Sequence, residues 1–480
     1  MLLTGTDNHV AGLGTMGEWI GPSQKGKPGY EGRLNERVVT LATLLRTKAG
    51  YFTFMAGKWH LGEDESAWPA RNGFDRDFTL MEGMGSHWED MRSVSPERAT
   101  VTYSRNGQRL ESLPSGYFSS TGFTDFAIQC IDEARVEAKP FFAYVAYQAP
   151  HGPLAAPAAW IDRMKGAYDR GYDVIAAERF ARQQALGLVA RGVNRAPRPD
   201  SVPPWDELTP DEKRRSARKM EIYAAMVAQM DDQIGRILDH LQAIGEYDRT
   251  LIVFLSDNGA NGEDHADVLL QHVPEAKAWL ANTYNNDFEN WGRPGSFIDY
   301  GMAWGAVSNV PFRLFKGTVA EGGIRAPLIV SGPGVEHAGS VNDSPLHIMD
   351  IAPTFLATAN VTHPGGAQDP NLAPLQGVSM WPLLANREQA VRNDSQWLGW
   401  ELFGNRTIRQ GDWKLLYLLK PAGGTGDWQL FDLGRDPGEM QDLASTYADR
   451  RAAMLALWEE YARTNGVVES DAGPFAGRKP

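Results

Sequence analysis

Two apolar runs, each ending abruptly in glycine and polar groups, constrain the fold of this chain more than any other feature. One is Tyr51-Phe52-Thr53-Phe54-Met55-Ala56, followed by Gly57-Lys58-Trp59-His60-Leu61-Gly62. The other is Leu251-Ile252-Val253-Phe254-Leu255, followed by Ser256-Asp257-Asn258-Gly259. Short β-branched and aromatic runs bounded by turn residues read as buried parallel strands with their C-terminal loops. In open α/β sheets, ligands bind at those carboxyl ends. The first loop offers an ammonium and an imidazole; the second offers a carboxylate and an amide oxygen. Together they suit a divalent metal and a tetrahedral oxyanion, the requirements of sulfate or phosphate ester chemistry.

The rest of the chain supplies further strands and the helices between them. Leu34, Val38, Leu41 and Leu45 mark one helical face, with Gly50 as its stop. A helix over 125–137 leads into a second buried strand, Phe141 to Tyr147, which ends in Gln148-Ala149-Pro150-His151-Gly152-Pro153. Ile222, Met226, Met230, Ile234, Ile237 and Leu241 keep helical spacing up to Gly245 and deliver the chain to the Leu251 strand. Alternating helices and strands predict a large, mostly parallel mixed sheet flanked by helices. Past residue 395, short runs such as Trp413 to Tyr417 and Trp428 to Asp432 are split by turn residues, and residues 443–464 read as a helix. The expected division is an α/β domain over 1–394 and a small antiparallel sheet plus helix over 395–480, a natural partition for 480 residues. The segment 262–310 lacks periodicity but carries Trp279, Tyr284, Trp291, Tyr300 and Trp304. It either faces substrate or packs its aromatics on the scaffold.

Composition narrows the function classes. Lys and Arg number 47 against 60 Asp and Glu, a net charge of −13, which argues against nucleic acid or an anionic membrane surface as partner. No apolar stretch approaches the roughly 20 residues of a membrane span. A soluble protein is expected, cytoplasmic or periplasmic. The single cysteine, Cys130, excludes an internal disulfide and sits among Phe126, Ala127, Ile128 and Ile131 as a buried helical thiol.

Asp257 and Asn258 are hard oxygen donors, suited to Ca²⁺ or Mg²⁺ rather than zinc. Taken alone, Asp-Asn-Gly also fits an ordinary strand-to-turn transition. Lys58 and His60 project to the same side if their loop is extended, although a salt-bridged Lys58 and a structural His60 fit the same spacing. His151, between two prolines at a strand end, is a catalytic candidate. Lys316 opens a Gly-rich loop running to Arg325, which lets a cation approach an oxyanion closely.

These motifs, with Met1-Leu2-Leu3-Thr4-Gly5 at one end and Ile408-Arg409-Gln410-Gly411-Asp412-Trp413-Lys414 near the other, resemble the type I sulfatases of the alkaline-phosphatase superfamily. The chain looks like bacterial arylsulfatases in particular, and the match runs nearly end to end. The resemblance implies sulfuric ester hydrolysis of a small-molecule aryl or alkyl sulfate. Lys58 and Lys316 would hold the sulfate oxygens. His60 would help the sulfated hydrate collapse, and His151 would assist the leaving oxygen. Asp257 and Asn258 would hold half of a Ca²⁺ site.

In that family the nucleophile is a formylglycine, made by a maturation enzyme from Cys or Ser in a Cys/Ser-x-Pro-x-Arg signature. That signature lies just before a Leu-Leu-Thr-Gly like Leu2 to Gly5. The expectation is therefore an N-terminally truncated chain, inactive as written, whose first strand and nucleophile lie upstream of Met1. The alternatives are a phosphodiesterase or phosphonate monoester hydrolase of the same superfamily, and a non-catalytic sulfatase-like protein.

Overall fold

The computed structural model describes residues 1–470 other than 274; residues 471–480, assigned above to the second domain, lie outside the described residues. The strands are β1 (Phe52–Lys58), β2 (Arg76–Leu80), β3 (Tyr103–Arg105), β4 (Gln108–Leu110), β5 (Phe141–Ala146), β6 (Ile252–Leu255), β7 (Leu328–Ser331), β8 (Trp397–Leu402), β9 (Asn405–Gln410), β10 (Trp413–Tyr417) and β11 (Trp428–Asp432). The helices that frame them are α1 (Leu41–Ala49), α2 (Ser119–Val136), α3 (Pro210–Ala243), α4 (Ile351–Thr358) and α5 (Ala448–Asn465).

β1 lies between β2 and β5 in a five-stranded sheet of order β4-β3-β2-β1-β5. It runs parallel to both β2 and β5, while β2, β3 and β4 are joined antiparallel. Successive β1 side chains face opposite ways, as the pleat requires. Phe52, Phe54 and Ala56 pack with Phe123, Phe126 and Ala127 of α2; Met55 packs with Leu41, Leu44 and Leu45 of α1 and with Leu356 of α4. Burying a Phe or Leu of this kind contributes about 1.5–3 kcal/mol, so both faces of β1 anchor the sheet.

Local signals explain the helix limits. Thr40 caps α1 by accepting from Thr43 N, and Gly50 closes it in the left-handed conformation at φ 70°. Leu34 and Val38, expected within this helix, precede its cap. Thr209 and Glu212 form a reciprocal capping box at the start of α3, with Pro210 in the first turn. α3 then buries Met220, Ile222, Ala225 and Met226.

The Leu251 run corrects the sequence expectation. β6 does not join the five-stranded sheet as a buried parallel strand; it pairs antiparallel with β7 in a separate two-stranded ribbon. Val253, Leu255 and Leu328 cover Ile351 and Met380, whereas Phe254 is 38% and Ile329 60% exposed. An apolar run encodes an extended backbone, not the identity of its neighbour. Among the described residues, no strand pairing joins this ribbon to the larger sheet, and a seam separates the two.

The segment 262–310 is also more regular than expected, with helices His265–His272, Ala276–Thr283 and Gly301–Asn309. Most of its aromatics serve packing: Trp291, Tyr300 and Trp304 belong to one core cluster, and Tyr284 with Trp279 to another. β8 to β11 form a four-stranded antiparallel sheet of order β11-β10-β9-β8, against which Met454, Trp458 and Tyr461 of α5 pack. No helix among the described residues is long and apolar enough to cross a membrane.

Candidate active site

A cleft of about 1800 Å³ opens along the seam, and all six residues singled out from the sequence line it: Lys58, His60, His151, Asp257, Asn258 and Lys316. Lys58, His60 and His151 come from the five-stranded sheet, at the carboxyl ends of β1 and β5. Asp257, Asn258 and Lys316 come from the ribbon side, after β6 and before β7.

Two glycines let the loops close in. Gly57 has φ 125°, and a Cβ there would lie 1.9 Å from the Ala146 carbonyl oxygen of β5, so only glycine lets β1 carry Lys58 that close to the His151 strand. A Cβ on Gly259 would lie 1.8 Å from the Gly322 carbonyl oxygen, and Gly259 N donates to Gly323 O at 3.0 Å. The Asp257-Asn258 turn and the Lys316 loop are thus built against each other.

The lysines are held as a partly desolvated pair. Burial, together with the charge of Lys316, lowers the Lys58 ammonium to about 8, against the pull of Asp257 and Glu18. Burial likewise lowers Lys316, with Asp257, Glu263 and Asp299 opposing it. An anion entering the cleft would relieve both costs at once.

His60 departs from the extended geometry expected of it. Its φ is 50°, which turns the chain after Trp59 and places the ring over Gly83. Its Nε2 meets Glu18 Oε1 at 2.9 Å inside the cleft. Burial pushes the Glu18 carboxyl up, but the hydrogen bond and charge of His60 outweigh it and hold it below the usual range.

His151 is flanked by the cis bonds Ala149–Pro150 and Gly152–Pro153. Its Nδ1 lies 3.0 Å from the Gly152 carbonyl oxygen, which can only accept, so Nδ1 carries the proton and Nε2 offers a lone pair. Burial, then Lys316, Lys58 and His265, hold this imidazole well below its ordinary value, and it stays neutral. Behind it, buried His87 donates from Nε2 to the His151 carbonyl at 3.2 Å and accepts at Nδ1 from the Ser119 hydroxyl at 2.7 Å.

Sequence reasoning missed Glu18, His87, His265 and Asp299. His265 lines the cleft, its ring centroid 5.6 Å from that of His151. Its only sequence signal was the run Glu263-Asp264-His265 a few residues past Asn258. Glu18 stands in the short 3-10 helix Gly17–Trp19 and Asp299 in a loop, neither marked by a sequence pattern.

For a hard divalent cation, Asp257 and Asn258 fit as a partial oxygen shell. The Asn258 amide nitrogen donates to Gly259 O at 2.9 Å, which leaves its side-chain oxygen available as a ligand. Among the described residues, no group of three or more His, Cys, Asp or Glu is placed to hold a metal. Cys130 does not fit the formylglycine precursor. It is fully buried in α2, burial pushes its thiol up to about 12, and no Pro or Arg stands at the signature spacing after it.

Comparisons with known proteins bear on the family and the fold. The Sulfatase family's sequence model matches residues 1–361, and that of the N-sulphoglucosamine sulphohydrolase C-terminal region matches 312–462. An uncharacterized sulfatase of Schizosaccharomyces pombe is 39% identical over 479 residues, covering 98% of this chain and 85% of its own. An arylsulfatase of Klebsiella aerogenes is 39% identical over 382 residues, covering 79% and 80%. Among solved structures, the fold is similar to that of the PsFucS1 sulfatase from Pseudoalteromonas sp., with a TM-score of 0.59 at 20% identity over 98% of this chain and 81% of that one. It is also similar to a phosphonate monoester hydrolase from Silicibacter pomeroyi, with a TM-score of 0.53 at 18% identity over 97% and 85%.

Proposed function

The chain belongs to the sulfatase family, and from that premise we propose that the seam cleft is where it hydrolyses sulfate esters, ROSO₃⁻ + H₂O giving ROH and hydrogen sulfate. The observation that carries the site assignment is the convergence of two desolvated lysines and a neutral imidazole from separate sheets on one cleft.

Lys58 and Lys316 bind the sulfate oxygens from opposite walls. They are fixed in place before substrate arrives, so charge building on those oxygens during transfer meets an environment that need not reorganise. His151 Nε2 accepts a hydrogen bond or proton near the reacting group. His60, oriented by Glu18, shuttles protons at the mouth. Asp257 and Asn258 would hold a divalent cation, Ca²⁺ in our reading, which when bound supplies further positive charge against the sulfate oxygens. Family members work with a formylglycine; no cysteine or serine among these residues stands in its signature. A boundary at 394/395 belongs to the same reading, with the C-terminal sheet supporting the Lys316 loop. Two lysines suit the monoanionic sulfate ester better than a dianionic phosphoryl group, which favours more metal charge.

Initial rates with 4-nitrophenyl sulfate and with a 4-nitrophenyl phosphonate monoester test this function. At least a tenfold preference for the sulfate is expected, and the reverse preference would overturn it. With Asp257 and Asn258 as its protein ligands among the described residues, Ca²⁺ should bind this chain at roughly millimolar levels. Titration calorimetry returning micromolar affinity would mean that other groups complete the shell.

A further inference from the structure

The helix His265–His272 forms one wall of the cleft next to His151. Its first residue is pinned there. His265 Nδ1 lies 3.0 Å from Asp299 Oδ2, and its backbone N–H donates to the same oxygen at 3.0 Å. Asp299 in turn rests on the residue after His151, since a Cβ on Gly152 would lie 2.3 Å from its Oδ1. The ring centroids of His265 and His151 are 5.6 Å apart. An α-helix rises about 1.5 Å per residue, so Val268 and Leu269 follow one turn on, roughly 5–6 Å along the wall. Both line the cleft, as do Val94 and Phe297, which pack in one apolar cluster with Leu269. A group extending from His151 along this wall meets hydrocarbon.

Charge in the cleft has a complementary pattern. Carboxylates outnumber lysines and arginines along its lining. Among the described residues, each lining arginine already has a carboxylate to attend. Arg98 lies 2.9 Å from Glu63 and 2.7 Å from Glu82; Arg325 lies 3.6 Å from Glu321, whose charge also acts on Arg409. Any charge on His265 is met by Asp299. Glu263 stands exposed on the cleft two residues before the helix, and its charge reaches Lys316. Its turn is closed by Asn261, whose side-chain oxygen accepts from Glu263 N at 3.3 Å and whose amide donates to Glu263 O at 2.9 Å. The lysine pair can hold one sulfate, while a second anion beside it would face Glu263.

We propose that Leu269 and Glu263 set the leaving-group specificity of this cleft: it takes sulfate esters of apolar, uncharged alcohols and turns away esters carrying a second anionic group near the first. This rests on the sulfatase reading above. Leu269 favours the apolar alcohol by removing its surface from water. Glu263 acts by repulsion, lowering the affinity for the wrong ester without contributing to the right one.

Calorimetry on the 480-residue chain with phenyl, 4-propylphenyl and 4-carboxyphenyl sulfate at low ionic strength tests the assignment. Each buried methylene is worth about fourfold in affinity, so the propyl ester should bind on the order of tenfold tighter than the phenyl ester. The carboxyphenyl ester should bind about fivefold or more weakly than the phenyl ester, and added salt should narrow that gap. Glu263→Gln should bring the carboxyphenyl ester close to the phenyl ester and leave both neutral esters unchanged. Leu269→Ser should remove the propyl gain with phenyl sulfate little affected; Val268→Ser, on the same wall, should remove part of it, and melting curves separate a lost contact from a lost fold. Equal affinity for all three esters, or a Glu263→Gln shift common to charged and neutral esters, overturns this proposal alone. Failure of every ester to bind or be cleaved would strike the sulfatase reading, and the specificity with it.

Discussion

Lys58 and Lys316 each bear the cost of a partly desolvated charge, and that cost makes them sensitive reporters. Lys58→Met or Lys316→Met should lower kcat/KM on the order of 10²- to 10⁴-fold, at least as much as His151→Ala, since each leaves sulfate charge uncompensated. Because the Lys58 ammonium is lowered to about 8, kcat/KM should fall as pH rises through that value. A flat profile to pH 9.5, or wild-type rates in either lysine variant, would remove these residues from the site. At this scale the sequence was legible where chemistry follows a strand end: the six residues expected from motifs share one cleft. His265, Asp299 and Glu18 were not legible, because their roles arise from contacts across the fold: Asp299 against Gly152, Glu18 against His60.

Elements were legible in kind more than in partnership. β1 and β5 have the parallel pairing that their apolar runs suggested, whereas α3 starts at Pro210, well before the Ile222 where its spacing was read. β6 reads equally well as a strand, yet nothing in Ile252 to Leu255 specifies β7 as its neighbour. The element that carries Lys316 is held from a distance. Fully buried Lys414 of β10 meets Glu321 at 2.8 Å and Glu439 at 2.7 Å, and Arg313 meets Glu439 at 3.3 Å. Replacing one partner leaves buried carboxylates uncompensated, so Lys414→Met should cost about 3–5 kcal/mol. Urea denaturation measures this, and a change below about 1 kcal/mol, the worth of an exposed pair, would mean that the network does not anchor the loop.

Across the whole molecule, His9 ties the first residues to the last. Its Nδ1 lies 2.8 Å from Asp7 and its Nε2 3.0 Å from Glu401 of β8, while Tyr461 of α5 donates to Asp7 at 2.9 Å. Burial opposes the His9 charge, but the two carboxylates outweigh it and raise the imidazole to about 9. The folded state therefore binds this proton more tightly than the unfolded chain does. Its contribution is complete below the unfolded value of about 6.5 and is lost as pH rises through about 9, up to roughly 3 kcal/mol in all. Denaturation curves across that window should show the decline, and His9→Gln should flatten it; an identical slope in the variant would refute the assignment.

The seam between the five-stranded sheet and the β6–β7 ribbon has a mechanical side as well. With Lys58 on one plate and Lys316 on the other, a bound oxyanion is a rivet through a lap joint. Occupancy then sets stiffness: inorganic sulfate at a hundredfold excess over its Kd should add about 2.7 kcal/mol and raise the calorimetric melting temperature. Chloride at matched ionic strength, too small to span the joint, should leave it where it was.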